Sequence, residues 1–157
     1  LAEAIEAKHD GASALTFLGH ALTELKEWTE ATACYEQAIH MRQAMGEQNL
    51  VLEPRAGLAR VALAQGKQAE ALVHVAKILP ALAQGAPEGT YEPARIYLTC
   101  YQVLLADQPA LAQELLQRAY AMVCERAEKI DDDRLRHSFL TNVAVHREIV
   151  ALWETPP

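Results

Sequence analysis

A chain of 157 residues, 51% apolar and 22% charged, is long enough to bury one sizeable core and too apolar to stay disordered. Fourteen basic residues against twenty-one acidic ones give a net charge of −7, a sign that repels phosphate backbones and argues against nucleic-acid binding by this segment. No stretch reaches the roughly 18 consecutive apolar residues that a bilayer span needs, and Cys34, Cys100 and Cys124, widely spaced within helical pattern, read as reduced thiols in a cytoplasm.

Ala, Leu, Glu and Gln dominate and β-branched runs are scarce, so the whole chain is expected to be helical. Residues 1–9 carry a helical pattern with no start signal and no initiator methionine. They are expected to be the end of a preceding helix, in a fragment of a longer protein. Three units follow, at 12–51, 52–92 and 93–130, each with two amphipathic segments joined by a short break: Leu25-Lys26-Glu27, Gln65-Gly66-Lys67 and Ala106-Asp107-Gln108-Pro109. Glu53-Pro54 and Pro93 open the first helices of the second and third units. Asp107 with Pro109 is a capping residue followed by a first-turn proline. Pro80 falls inside an expected helix and should kink or end it. The segment 85–89 reads as a loop. Residues 131–157 are expected to cap the end, as one long helix or two short ones, starting at Asp131 with Leu135, Phe139, Val143, His146, Val150 and Trp153 along one stripe.

The three units share a register. Leu18-Gly19, Ala31, Tyr35 and Ala38 recur as Leu58-Ala59, Ala71, Val75 and Ile78, and again as Thr99-Cys100, Ala112, Leu116 and Ala119, at spacings of about 40 residues. Narrow residues at fixed intervals have a packing reason: antiparallel helices separated by 8–10 Å need small side chains where their axes approach. Gly19 and Ala31 are expected to supply that approach, with Leu18, Leu22, Tyr35 and Ile39 filling the space beside it and Ala38 admitting the next helix.

These positions resemble the tetratricopeptide repeat, with Leu18, Gly19, Trp28, Ala31, Tyr35 and Ala38 of the first unit all at family positions. The longer period is similar to that of the long-helix branch of the family, and the closing wording of residues 138–149 resembles the end of the repeat region in large bacterial regulators. The resemblance implies a right-handed α-solenoid with a C-terminal capping helix, built as a single domain over 1–157. It further implies a cytoplasmic, non-catalytic module that binds a protein or peptide, or an upstream domain of its own chain, in a concave groove lined by first helices. Carried onto this sequence, the groove positions include Thr16, His20, Thr23, Glu53, Arg60, Tyr97 and Tyr101.

Arg60 can fork a carboxylate or pair with Glu53 or solvent; Tyr97 and Tyr101 can offer contacts to a partner or pack against the capping segment. No phosphate loop, nucleophile elbow or paired-cysteine zinc signature is present, and the six histidines never pair at i, i+3 or i+4, so neither catalysis, nor a cofactor, nor a metal is expected. The competing reading is a self-associating scaffold, with a homodimer as one form, that uses exposed end helices.

Overall fold

The computed structural model describes residues 2–85, 87 and 89–155, with the side chains of residues 2–5 excepted. The expected outer limits at Leu1 and Pro157, Pro156, and the loop positions Ala86 and Glu88 lie outside the described residues. Every regular element among the described residues is helical: α1 (Ala2–Glu24), α2 (Trp28–Ala44), α3 (Leu52–Ala64), α4 (Gln68–Gln84), α5 (Pro93–Leu104), α6 (Pro109–Glu128), α7 (Asp133–Thr141) and α8 (Ala144–Glu154), with a 3₁₀ turn at Gln48–Val51. None of these helices is long and apolar enough to cross a membrane. The chain divides into two compact units, 1–93 and 94–157. A single continuous domain was expected; the division falls at the expected start of the third repeat.

In the first unit α1 packs on α2 and α3 on α4, and α3 also touches both α1 and α2. The turns within the two pairs are the same object. After α1, Lys26 N–H donates to Thr23 O and Glu27 N–H to Leu22 O; after α3, Gly66 N–H donates to Leu63 O and Lys67 N–H to Ala62 O. This double closure satisfies the last carbonyls of each helix and needs one left-handed residue, which is Gly66 at φ 73° in one turn and Lys26 at φ 63° in the other. The chain then enters the next helix with an acidic residue in its first turn, Glu30 or Glu70, where the helix dipole favours it. In the second unit, four residues rather than three separate α5 from α6.

The second helices bury one register. Ala31, Tyr35, Ala38 and Arg42 are buried in α2, Ala71, Val75, Ile78 and Leu82 in α4, and Ala112, Leu116, Ala119 and Val123 in α6. The small members of this register, with Ala59 of α3, have no exposed surface. Gly19 has a sharper reason than close approach of two backbones. A Cβ there would lie 2.6 Å from the Tyr35 ring, and one at Gly57, on α3, would lie 2.3 Å from it. The ring is therefore clasped between bare backbone on α1 and bare backbone on α3, with Leu58 and Val61 completing the cluster and Leu22, Trp28 and Ile39 packed against it.

Several expectations are corrected. Residues 2–9 are not a separate helix end: α1 runs unbroken from Ala2 through Gly11 and Ala12. Leu18 does not fill the core, because it lies on the outer side of α1 and is 49% exposed. The helix α4 continues through Pro80 to Gln84; the proline lies in its last two turns, so only one intrahelical bond is forfeited. Gln108, not Asp107, is the residue preceding α6, with Pro109 in the first turn as expected.

In the second unit, Asp132 rather than Asp131 caps α7, its carboxylate accepting from Arg134 N–H and Leu135 N–H at 2.9 Å each. The expected capping segment is two helices, α7 and α8, both packed on α6. Arg136 reaches back to Ile130 O, 2.7 Å from Nη2, and Trp153 stacks on Tyr120 of α6 at 5.4 Å. Because the chain turns between Thr141 and Ala144, the expected single stripe is broken. Val145 and Ile149 form the buried face of α8, while Leu135 and Val143 are exposed.

Two substitutions test this account by urea denaturation of the whole chain. Gly57→Ala, which gains about 1 kcal/mol in helix propensity, is expected to destabilise by roughly 2 kcal/mol net through overpacking against the Tyr35 ring, and to become neutral or stabilising in a Tyr35→Leu background. Lys26→Gly is expected to stabilise by about 0.5–1 kcal/mol, since it removes a side chain from a left-handed residue; a loss of stability would count against the turn geometry.

Candidate functional site

Ser13, Thr16, His20 and Thr23 recur along one face of α1 and are all buried. The two threonines satisfy their hydroxyls within their own helix: Thr16 Oγ1 donates to Ala12 O at 3.0 Å and Thr23 Oγ1 to Gly19 O at 2.7 Å, the local back-bonding open to such residues in mid-helix. The second bond fixes the direction of a chain. Thr23 has spent its only proton on Gly19, so the 3.0 Å contact between Thr23 Oγ1 and Tyr35 Oη uses the tyrosine proton. The 2.8 Å contact between Tyr35 Oη and His20 Nδ1 then takes its proton from the histidine. Nδ1 is the protonated nitrogen, and Nε2 points the other way.

Nε2 of His20 faces two carboxylates. Glu53 Oε1 lies 3.7 Å from it and Glu92 Oε2 3.8 Å. Glu53 is held in place by the backbone: Tyr91 N–H donates to its Oε2 at 3.1 Å and Glu92 N–H to its Oε1 at 3.2 Å. Those two donors are available because Pro93 disfavours helical backbone at the residue before it, so Tyr91 and Glu92 stay outside α5, which starts at Pro93. His20 and Glu53 are more than nine-tenths buried, Glu92 about one-third exposed, and Nε2 has no hydrogen-bond partner. Beside the cluster, Phe17 and Tyr91 meet edge to face at 5.1 Å, each about half exposed.

A second buried polar cluster lies two turns further along α2. Arg42, 2% exposed, occupies the position that Leu82 and Val123 fill in the other second helices. Its Nη1 contacts Glu47 Oε2 at 2.5 Å and His9 Nδ1 at 2.8 Å, and its Nη2 donates to Ser13 Oγ at 2.7 Å. Burial pushes the Glu47 carboxyl up, but hydrogen bonds from His9 and Arg42 and the charge of Arg42 outweigh it and hold the group below its ordinary value.

Of the residues assigned to the groove, Thr16, His20, Thr23, Glu53, Tyr97 and Tyr101 are buried, so none is presented to a partner as the chain stands. The assignment took polar residues on first helices to be solvated. Here the threonines bond their own helix, His20 bonds Tyr35, and Tyr97 is hydrogen-bonded to Arg118, burial pushing its phenol up against the lowering effect of that guanidinium. Arg60 is half-buried and reaches Glu24 at 3.6 Å rather than Glu53. The structure thus brings His20, Thr23 and Glu53 together and places Tyr97 and Tyr101 in the other unit. Sequence reading missed Phe17, Tyr91 and Glu92; the signal available was Pro93, which leaves consecutive N–H groups free for a carboxylate. The three cysteines are free, and burial pushes the Cys100 thiol up to about 12.

Two open depressions, about 410 Å³ at Gly46–Leu50 with Gly89 and about 230 Å³ between Trp28 and Lys67, bring no comparable set of buried groups together. Comparison of the chain with protein-family models, curated proteins and solved structures gives no match.

The Arg42 cluster makes a stability prediction. A carboxyl held below its ordinary value stabilises the fold above the unfolded pKa, about 4.5, and that contribution is lost as pH falls through the lower folded value. Glu47→Gln, which leaves a buried guanidinium without its counter-charge, is expected to destabilise by about 2 kcal/mol at pH 7 and to flatten the fall in stability just below pH 4.5. Arg42→Leu, the residue type of the other repeats, is expected to cost less than Glu47→Gln. Chemical denaturation as a function of pH measures both.

Proposed function

We propose that the chain is a non-catalytic helical-repeat module that recognises a protein or peptide partner, and that its helix pairs continue as a tetratricopeptide-like right-handed solenoid within a cytoplasmic bacterial regulator. The observation that carries this reading is the recurrence of one helix–turn–helix unit, with matching turn hydrogen bonds after α1 and α3 and one buried register in α2, α4 and α6. Repeats of this kind bury their small residues to build a rigid wall and use the remaining surface for binding. Polar residues once assigned to the groove are consumed by packing, so the contact surface is moved to their exposed neighbours Phe17, Leu18 and Tyr91. An aromatic pair with a polar tip is the kind of group that anchors interfaces. With a net charge of −7 and Glu24 and Glu92 nearby, the preferred occupant is a basic segment carrying an apolar anchor.

Selection of displayed peptides against the whole chain, followed by fluorescence anisotropy, tests this. Basic, apolar-anchored peptides are expected to emerge, and Phe17→Ala with Tyr91→Ala to weaken them at least tenfold without changing the helical content. Undiminished binding by that double variant would remove this surface from the reading. A concentration-dependent dimer in sedimentation, weakened by Leu18→Glu, would favour self-assembly instead.

A further inference from the structure

We propose that His20, Glu53 and Glu92 form a binding site for a divalent transition-metal ion of the zinc class. The three ligand atoms, His20 Nε2 and one carboxylate oxygen from each glutamate, all lie within 4.8 Å of one another. They come from three separate stretches of chain, α1, the start of α3 and the segment before α5, which is why spacing along the sequence gave no sign of them.

Three features distinguish this cluster from a chance meeting of acidic groups. First, the imidazole is oriented. The bond order from Gly19 O through Thr23 and Tyr35 puts the proton on Nδ1 and turns Nε2 toward the carboxylates. A ligating histidine needs that arrangement, its other nitrogen donating to a fixed acceptor. Second, Nε2 is buried and has no hydrogen-bond partner, a state that buried polar atoms ordinarily avoid. Third, Glu53 is pinned by two backbone N–H groups, so its Oε1 is fixed 3.7 Å from Nε2, and Glu92 Oε2 lies 3.8 Å from the same nitrogen. A dication at the centre resolves all three.

The donor set selects the ion. One nitrogen and two carboxylate oxygens suit zinc and its neighbours, whereas calcium and magnesium take oxygen alone. The separations of 3.7 and 3.8 Å from His20 Nε2 exceed the roughly 3.3 Å edge of a tetrahedron with bonds of about 2.0 Å, so binding draws each carboxylate about half an ångström closer to the imidazole. Glu92, partly exposed, is the ligand able to move and marks the way in. Three protein ligands leave a fourth position for water. The ion would tie the segment before α5 to α1 and α3, and so stabilise the first unit.

The test uses the whole chain after chelator treatment, with Zn(II) in calorimetry and thermal melts and Co(II) as the spectroscopic probe. One ion is expected per chain, with a rise in melting temperature and visible Co(II) bands lacking sulfur-to-cobalt charge transfer. Glu92→Gln, at the rim, is expected to lose at least tenfold in affinity together with the metal-induced rise, each read against the variant's own metal-free melting temperature. His20→Asn should abolish binding; if that variant unfolds, Glu92→Gln alone decides. Equal binding by wild type and Glu92→Gln, charge transfer from a cysteine, or no stoichiometric binding would each overturn the proposal.

Discussion

The first unit is organised around one ring. Tyr35 projects from α2 into a slot made by Gly19 on α1 and Gly57 on α3, and either Cβ would intrude on it. The contact decides how closely three helices approach, because an aromatic ring laid on backbone fills the space that smaller side chains would otherwise have to fill by interdigitation. It also carries a polar end to the interior. A buried phenol must find partners, and Thr23 and His20 provide them. Packing and hydrogen bonding therefore specify the same register, and the histidine is oriented as a consequence of how the helices pack.

That coupling gives the polar residues of α1 their meaning. In a repeat whose other copies place Val75 and Leu116 where Tyr35 stands, no hydroxyl is available to order a chain of protons, and no equivalent of His20 is fixed. Arg42 departs from the register in the same way, where Leu82 and Val123 are the apolar solutions. Both departures fall in the first helix pair. Buried charge and polarity add little to stability compared with well-packed apolar groups. Their concentration in one pair marks it as the specialised part of the chain.

Much of the architecture was legible because it is local. Helical composition, prolines at Pro93 and Pro109, and the recurrence of Ala31, Ala71 and Ala112 depend on residues within a turn or two of one another, and all appear as read. Where the reading failed, the decisive neighbour was distant in sequence. Gly57 matters only because Tyr35, 22 residues earlier, lies against it. Glu92 matters because its N–H and that of Tyr91 bind Glu53, nearly forty residues earlier. Thr16 and Thr23 passed for solvent-facing groove residues because nothing in their spacing reveals that a hydroxyl bonds its own helix.

The sequence by itself determined the helical character of the chain, the turns within its three helix pairs and the column of small residues on its second helices, since propensity, capping and periodicity act over a few residues. Only the tertiary structure decided which polar side chains face inward, that Tyr35 rests between two glycines, and that His20 meets Glu53 and Glu92. Burial and the pairing of charges depend on which segments pack together, and a side chain's solvent is set by neighbours that its own stretch of sequence does not contain.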